Sequence, residues 1–114
     1  MPWDVEVSDE FRDWYEALGA EEQDSVAYSV NLLRFSGPDL GRPFVDSVWG
    51  SRHSNMKELR VQHKGRPWRV LFAFDPRRMA YLILAGDKTG NPRWYKINVP
   101  RADAIYDRHL REIQ

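Results

Sequence analysis

Trp3-Asp4-Val5-Glu6-Val7 alternates apolar and polar side chains, the period of a short strand with one buried face. Ser8 is placed to cap the helix that follows, with Asp9 and Glu10 in its first turn. Phe11, Trp14, Tyr15 and Leu18 fall at helical spacing and form one stripe, and Gly19 is expected to end that helix. A second helix is predicted from about Glu21 to Phe35, with Val26, Val30 and Leu33 inward and Gly37-Pro38 as its stop. Residues 38–55 read as a long connection anchored by Phe44, Val45, Val48 and Trp49. Three strand-like segments follow: Met56–His63, Pro67–Asp75 and Met79–Ala85. Lys64-Gly65 suits the first hairpin turn and Asp75-Pro76-Arg77-Arg78 the second. Gly86–Pro92 reads as a polar loop, Arg93–Ile97 as a short fifth strand, and Pro100–Ile113 as a last helix with Ile105, Tyr106, Leu110 and Ile113 on one side. Strand, two helices, an antiparallel meander of three to four strands and a C-terminal helix make an α+β domain. The expected arrangement has the helices on one face of the sheet and the other face partly open.

Length and composition narrow the class. The 114 residues fit a single domain spanning 1–114, and five Trp, five Tyr and five Phe are enough for one core. No apolar run of about 18 residues occurs, so no membrane span is expected. The opening Met1-Pro2-Trp3-Asp4 lacks a signal-peptide pattern, and there is no cysteine; a cytoplasmic protein is the expectation. Net charge is zero, yet its distribution is uneven. Residues 1–50 carry eleven Asp/Glu against three Lys/Arg, whereas residues 51–78 carry two against eight. Such asymmetry points to a face built for an anionic partner, or simply to a mixed-charge surface.

The hairpin sharpens the first possibility. With Lys64-Gly65 as a two-residue turn, His63 faces Arg66, Val61 faces Trp68 and Leu59 faces Val70. Arg60 then lies opposite Arg69, and like charges across a strand pair are destabilising unless an anion sits between them. Two alternatives remain open: a local carboxylate, Glu58 foremost, neutralises the pair, or a longer turn shifts the register. Lys57, His63, Lys64 and Arg66 share the hairpin, and Lys88 follows the third strand of the meander. Arg93-Trp94-Tyr95-Lys96 interleaves cations with aromatics, a pattern suited to single-stranded RNA, although aromatics so placed are more often partly buried packing residues. Other chemistries lack their residues. Gly86–Asn91 is not a phosphate-binding P-loop, His53, His63 and His109 have no metal-ligand spacing, and no Ser occupies a nucleophile elbow. The carboxylates cluster in the N-terminal helices rather than around one strand end, so no metal or other cofactor is expected.

Lys57-Glu58-Leu59-Arg60, Trp68–Asp75 and Leu82–Lys88 together resemble the RelE/ParE toxin superfamily. Asp87–Asn91, Trp94-Tyr95 and Pro100–Asp103 bring the chain nearest to its phage-derived HigB-like branch. The resemblance spans nearly the whole chain. It implies a sheet flanked by helices, cleavage of mRNA on the ribosome, and a cognate antitoxin of helix-turn-helix type. By position it matches Arg69 to the family's strand arginine, Lys88 to a basic residue after the meander, Arg60 to a Leu-Arg motif and Tyr95 or Trp94 to a C-terminal functional aromatic. Glu58 stands where some relatives are basic. Metal-free cleavage employs the substrate's 2′-hydroxyl as nucleophile. Arg69 and Arg60 would then stabilise the phosphorane charge, Lys88 would add a third cation, and His63 or Tyr95 would move protons. Lys57, Lys64, Arg66, Arg93, Trp94 and Lys96 would contact RNA. The competing readings are a gyrase inhibitor on the same fold, a non-catalytic RNA-binding module, and a remnant that has lost activity.

Overall fold

A computed structural model describes residues 2–114. Its elements are β1 (Val5–Val7), α1 (Asp9–Glu16), α2 (Ala20–Ser36), a 3-10 turn (Gly37–Asp39), β2 (Val45–Ser47), β3 (Lys57–His63), β4 (Arg66–Phe74), β5 (Ala80–Asp87) and α3 (Trp94–Glu112). The strands form one mixed sheet in the order β1-β5-β4-β3-β2. β1 pairs with β5 in parallel and the other neighbours are antiparallel.

Local chemistry sets the boundaries. The Ser8 hydroxyl oxygen accepts the Phe11 N–H at 2.9 Å and caps α1 as its position predicts. Gly19 does not end α1, which stops at Ala17; it caps α2 instead, its N–H donating to Glu22 Oε1 at 2.8 Å. Lys64 and Gly65 both take positive φ, 51° and 78°, the backbone of a two-residue type I′ turn. That turn fixes the register anticipated from sequence: Arg60 opposite Arg69, Val61 opposite Trp68 and His63 opposite Arg66. In the second hairpin the Arg78 N–H donates to Asp75 O at 2.7 Å, closing the turn through Pro76.

Helices pack on both faces of the sheet, where the expectation was helices on one face and a second face partly open. Leu59, Val61, Trp68, Val70, Phe72 and Leu82 pack against α1 and α2. Leu71, Ala73, Tyr81 and Ile83 point the other way and pack against Val99, Ala102, Ile105 and Tyr106 of α3. The reason is visible in β4 and β5. Val70-Leu71-Phe72-Ala73-Phe74 and Tyr81-Leu82-Ile83-Leu84-Ala85 are continuous apolar runs, which is what strands buried on both sides require. The strand expected at Arg93–Ile97 is the N-cap and first turn of α3, and Pro100 lies inside that helix rather than at its start. Trp94, Val99, Ala102 and Tyr106 fall on one buried stripe, so packing overrides the β preference of the aromatic pair.

Candidate functional site

Glu58, Arg60 and Arg69 lie on the α3 side of β3 and β4, where the first turn of α3 brings Tyr95 against them. Glu58 occupies the middle of this group and is 4% exposed. Its Oε2 accepts from Arg60 Nε at 3.0 Å and lies 3.6 Å from Arg69 Nε, while its Oε1 accepts the Tyr95 hydroxyl at 2.5 Å. The carboxylate alternative raised by the sequence is therefore the one realised: the two guanidinium groups share a single neutralising oxygen. Arg60 also reaches Asp46 Oδ2 on β2 at 3.2 Å.

The two arginines are not equivalent. The Arg69 side chain is 12% exposed, and one terminal nitrogen donates to the Trp68 carbonyl at 3.0 Å. Its Nε is buried and lies just beyond hydrogen-bond distance of Glu58 Oε2, so the contact there is an ion pair. Arg60 is one-third exposed and opens onto a cavity of about 330 Å³ bordered by Asp46, Trp49, Glu58 and Tyr95. Arg69 is thus fixed in place, and Arg60 is the group that a ligand in the cavity meets. Gly86 pairs opposite Arg69 in β5; a methyl group there would come within 2.9 Å of the Trp94 indole nitrogen. The absent side chain lets α3 start directly over β5 and so sets the position of Tyr95.

Burial pushes the Tyr95 hydroxyl above the ordinary tyrosine pKa; the hydrogen bond to Glu58 and the charge of Glu58 push the same way, against the opposing pull of Arg69. The requirement that this pKa fall if Tyr95 is to act as a base is not met, and the group stays a proton donor at neutral pH. Lys88 Nζ lies 5.5 Å from the centroid of the Tyr95 ring, within cation–π range. The polar centre consists of Glu58, Arg60, Arg69, Lys88 and Tyr95, with Asp46 at its edge.

Other residues singled out by the sequence are placed elsewhere. His63 lies on the α2 side of the sheet, buried, with Nδ1 2.8 Å from Ser25 Oγ and its ring stacked on Trp68. Strand alternation sends it away from Arg60, so it is neither exposed nor part of the cluster. Trp94 is buried in the α3-side core and presents no free face for a base. Lys64 pairs with Glu21 at 3.1 Å and Arg66 with Asp87 at 3.4 Å, both near the hairpin tip. Lys57 is partly buried in β3, while Arg93 and Lys96 are exposed around the start of α3. Sequence reasoning treated Glu58 only as a neutraliser and Trp49 only as a loop anchor. Trp49 is in fact almost wholly exposed. The signal for Glu58 was its alternation phase, two residues before Arg60 on the same face.

The chain as a whole is similar to known proteins. Residues 13–107 match the family model described as "Phage derived protein Gp49-like". A Mycobacterium tuberculosis protein named "Putative toxin HigB3" is 52% identical over 91 residues, covering 79% of this chain and 78% of that protein. A second from the same organism, named "Putative toxin HigB2", is 43% identical over 103 residues, covering 89% of this chain and 51% of the relative. Among solved structures, an arginine-to-alanine double mutant of E. coli toxin RelE in the free state superposes with a TM-score of 0.63 at 11% identity, covering 89% of this chain and 98% of that one. At that identity the likeness shows a shared RelE-like fold.

Proposed function

This chain belongs to the phage-derived Gp49-like family, and from that premise we propose that it is the toxin of a toxin–antitoxin pair, a metal-independent endonuclease of ribosome-bound mRNA held in check by a cognate helix-turn-helix antitoxin. The observation that carries the reading is the convergence of Arg60, Arg69, Glu58 and Tyr95 beside an open cavity, with Lys88 over the Tyr95 ring.

In this reaction the mRNA supplies its own nucleophile. The 2′-oxygen attacks the adjacent phosphorus, the P–O5′ bond breaks, and a 2′,3′-cyclic phosphate forms with a free 5′-hydroxyl on the downstream fragment. One proton leaves the 2′-hydroxyl and one reaches the departing 5′-oxygen. Arg60 turns from Asp46 and Glu58 toward a non-bridging phosphate oxygen, and Arg69, already locked by packing, adds fixed positive charge behind it. Released from one arginine, Glu58 is the carboxylate positioned to accept the 2′-proton. Tyr95, kept protonated, donates to the leaving oxygen. Lys88 contributes further positive charge at the same place.

The test is growth arrest and cleavage on programmed ribosomes by Arg69→Ala. The expected result is a folded protein, by circular dichroism, that neither arrests growth nor cuts mRNA. Undiminished cleavage by that variant rules out the assignment, and DNA damage without transcript cleavage by the native chain identifies a gyrase inhibitor instead.

A further inference from the structure

Trp49 is 94% exposed, more than any other large apolar side chain of the described residues. Leaving an indole in water forgoes the hydrophobic gain of burying it. The turn that carries it is nevertheless fastened on both sides. Before it, Val48 packs into the α3-side core, and its N–H donates to Met56 O at 3.3 Å. After it, Ser51 Oγ donates to Asp103 Oδ1 at 2.5 Å and the Arg52 N–H to Asp103 Oδ2 at 3.0 Å. His53 Nε2 lies 2.7 Å from Asp107 Oδ1, and the Arg52 guanidinium pairs with the same carboxylate. A ring held out on a braced turn is displayed, not frayed.

Two cavities meet at this ring. One of about 330 Å³ leads to Glu58 and Arg60. The other, of about 530 Å³, runs along Tyr95, Lys96 and Val99. Tyr95 borders both, so Trp49 stands directly beside the cationic cluster. We propose that Trp49 is a base-stacking platform, taking the nucleobase next to the phosphate that Arg60 engages, with single-stranded RNA as the ligand. The assignment of that phosphate rests on the nuclease reading above; the stacking itself does not. An indole face flanked by guanidinium and ammonium groups suits a strand that alternates π-faces with anions. A nonpolar protein segment would instead strip water from Lys96 and from the part-exposed Arg60–Asp46 pair without offering them a new partner.

The test uses a 2′-O-methyl RNA hexanucleotide, which cannot be cleaved, and the same strand carrying one abasic position. Affinity is measured for the native chain, Trp49→Phe and Trp49→Ala, with thermal melts confirming the fold of each. The expected results are quenching of the exposed indole's fluorescence, a weakening of about fivefold or more in Trp49→Ala, and recovery of most of it in Trp49→Phe. One abasic position costs the native chain a similar factor and costs Trp49→Ala nothing further. Equal affinity of native chain and Trp49→Ala overturns the proposal. So does a native chain that does not bind the hexanucleotide, or a variant that loses only antitoxin binding, which would assign the ring to a protein partner. Binding that depends on Trp49 in a chain that leaves programmed ribosomes uncut keeps this subsite and removes the nuclease reading. Cleavage with no dependence of binding on Trp49 does the reverse.

Discussion

Glu58 has two effects that pull in opposite directions. It neutralises opposed arginines that would otherwise repel, and it competes with any phosphate for the same guanidinium groups. Glu58→Gln removes the charge and keeps the shape. It is expected to destabilise the fold by about 1–3 kcal/mol in a denaturant titration while tightening RNA binding and lowering the cleavage rate. A variant that cuts as fast as the native chain excludes Glu58 as the base. Tyr95→Phe deletes only the hydroxyl. If that group donates a proton, cleavage falls by about 10²–10⁴-fold with little change in binding. Because burial and Glu58 hold Tyr95 protonated, the pH–rate profile loses height but keeps its shape near neutrality. Arg60 and Arg69 were legible because identity and strand alternation place them, and Lys88 because it directly follows β5. Tyr95 was named from its residue type and the family resemblance, but its place against Glu58 was not legible. His63 was misplaced because its side of the sheet follows from the same alternation, which puts it with Leu59 and Val61.

Turns hold the elements in register, and their chemistry was legible too. Lys64-Gly65 and Asp75–Arg78 behave as their residues predict, since both rest on local φ preferences. The start of α3 was not legible, because it depends on Trp94 finding room beside Gly86, a contact between segments. Gly86→Ala is expected to push the indole aside, shift Tyr95 and cut activity while leaving the hairpin register intact, as amide chemical shifts of β3 and β4 would report. The second hairpin ends in a buried ionic cluster. The fully buried Asp75 carboxylate accepts from Arg77 at 2.7 Å and lies 2.9 Å from His109 Nε2, whose ring stacks on Tyr81. Burial raises the pKa of Asp75, but the hydrogen bonds from Arg77, His109 and the turn backbone outweigh it and hold the group below the ordinary carboxylate value. A depressed folded-state pKa gives stability that is full above the unfolded value, about 3.9, and is lost as pH falls through the folded one. Asp75→Asn is expected to lower stability by about 2–3 kcal/mol at pH 7 and to reduce the acid-side loss seen in thermal melts across pH 5 to 2. An unchanged acid limb would assign that loss to the surface carboxylates.

At the scale of the whole molecule, the sheet separates two surfaces. The acidic first half of the chain supplies α1 and α2 on one face, and the basic hairpin and α3 shape the other. The continuous apolar runs of β4 and β5 are what burial on both faces requires; the expectation of a partly open second face followed the alternation of β3 and left those runs out of account. In the proposed nuclease, coverage by α3 gives the cationic cluster a walled cavity with Tyr95 at one side. An anionic strand lying there should bind less tightly as salt rises, with log affinity falling linearly in log salt at a slope near −0.7 per phosphate neutralised on single strands. A salt-independent affinity would mean that the cations do not contact phosphate. No helix is long and apolar enough to cross a membrane among the described residues. If the message supplies its own nucleophile, the ends of the cut mRNA carry the signature. Programmed ribosomes carrying an all-ribose message, or one with a single 2′-deoxy nucleotide at the mapped cut, are incubated with the native chain. The expected result is 2′,3′-cyclic phosphate ends from the first message and no cut at the modified position in the second. Equal cleavage of both messages, or fragments bearing 5′-phosphates, would rule out attack by the 2′-hydroxyl.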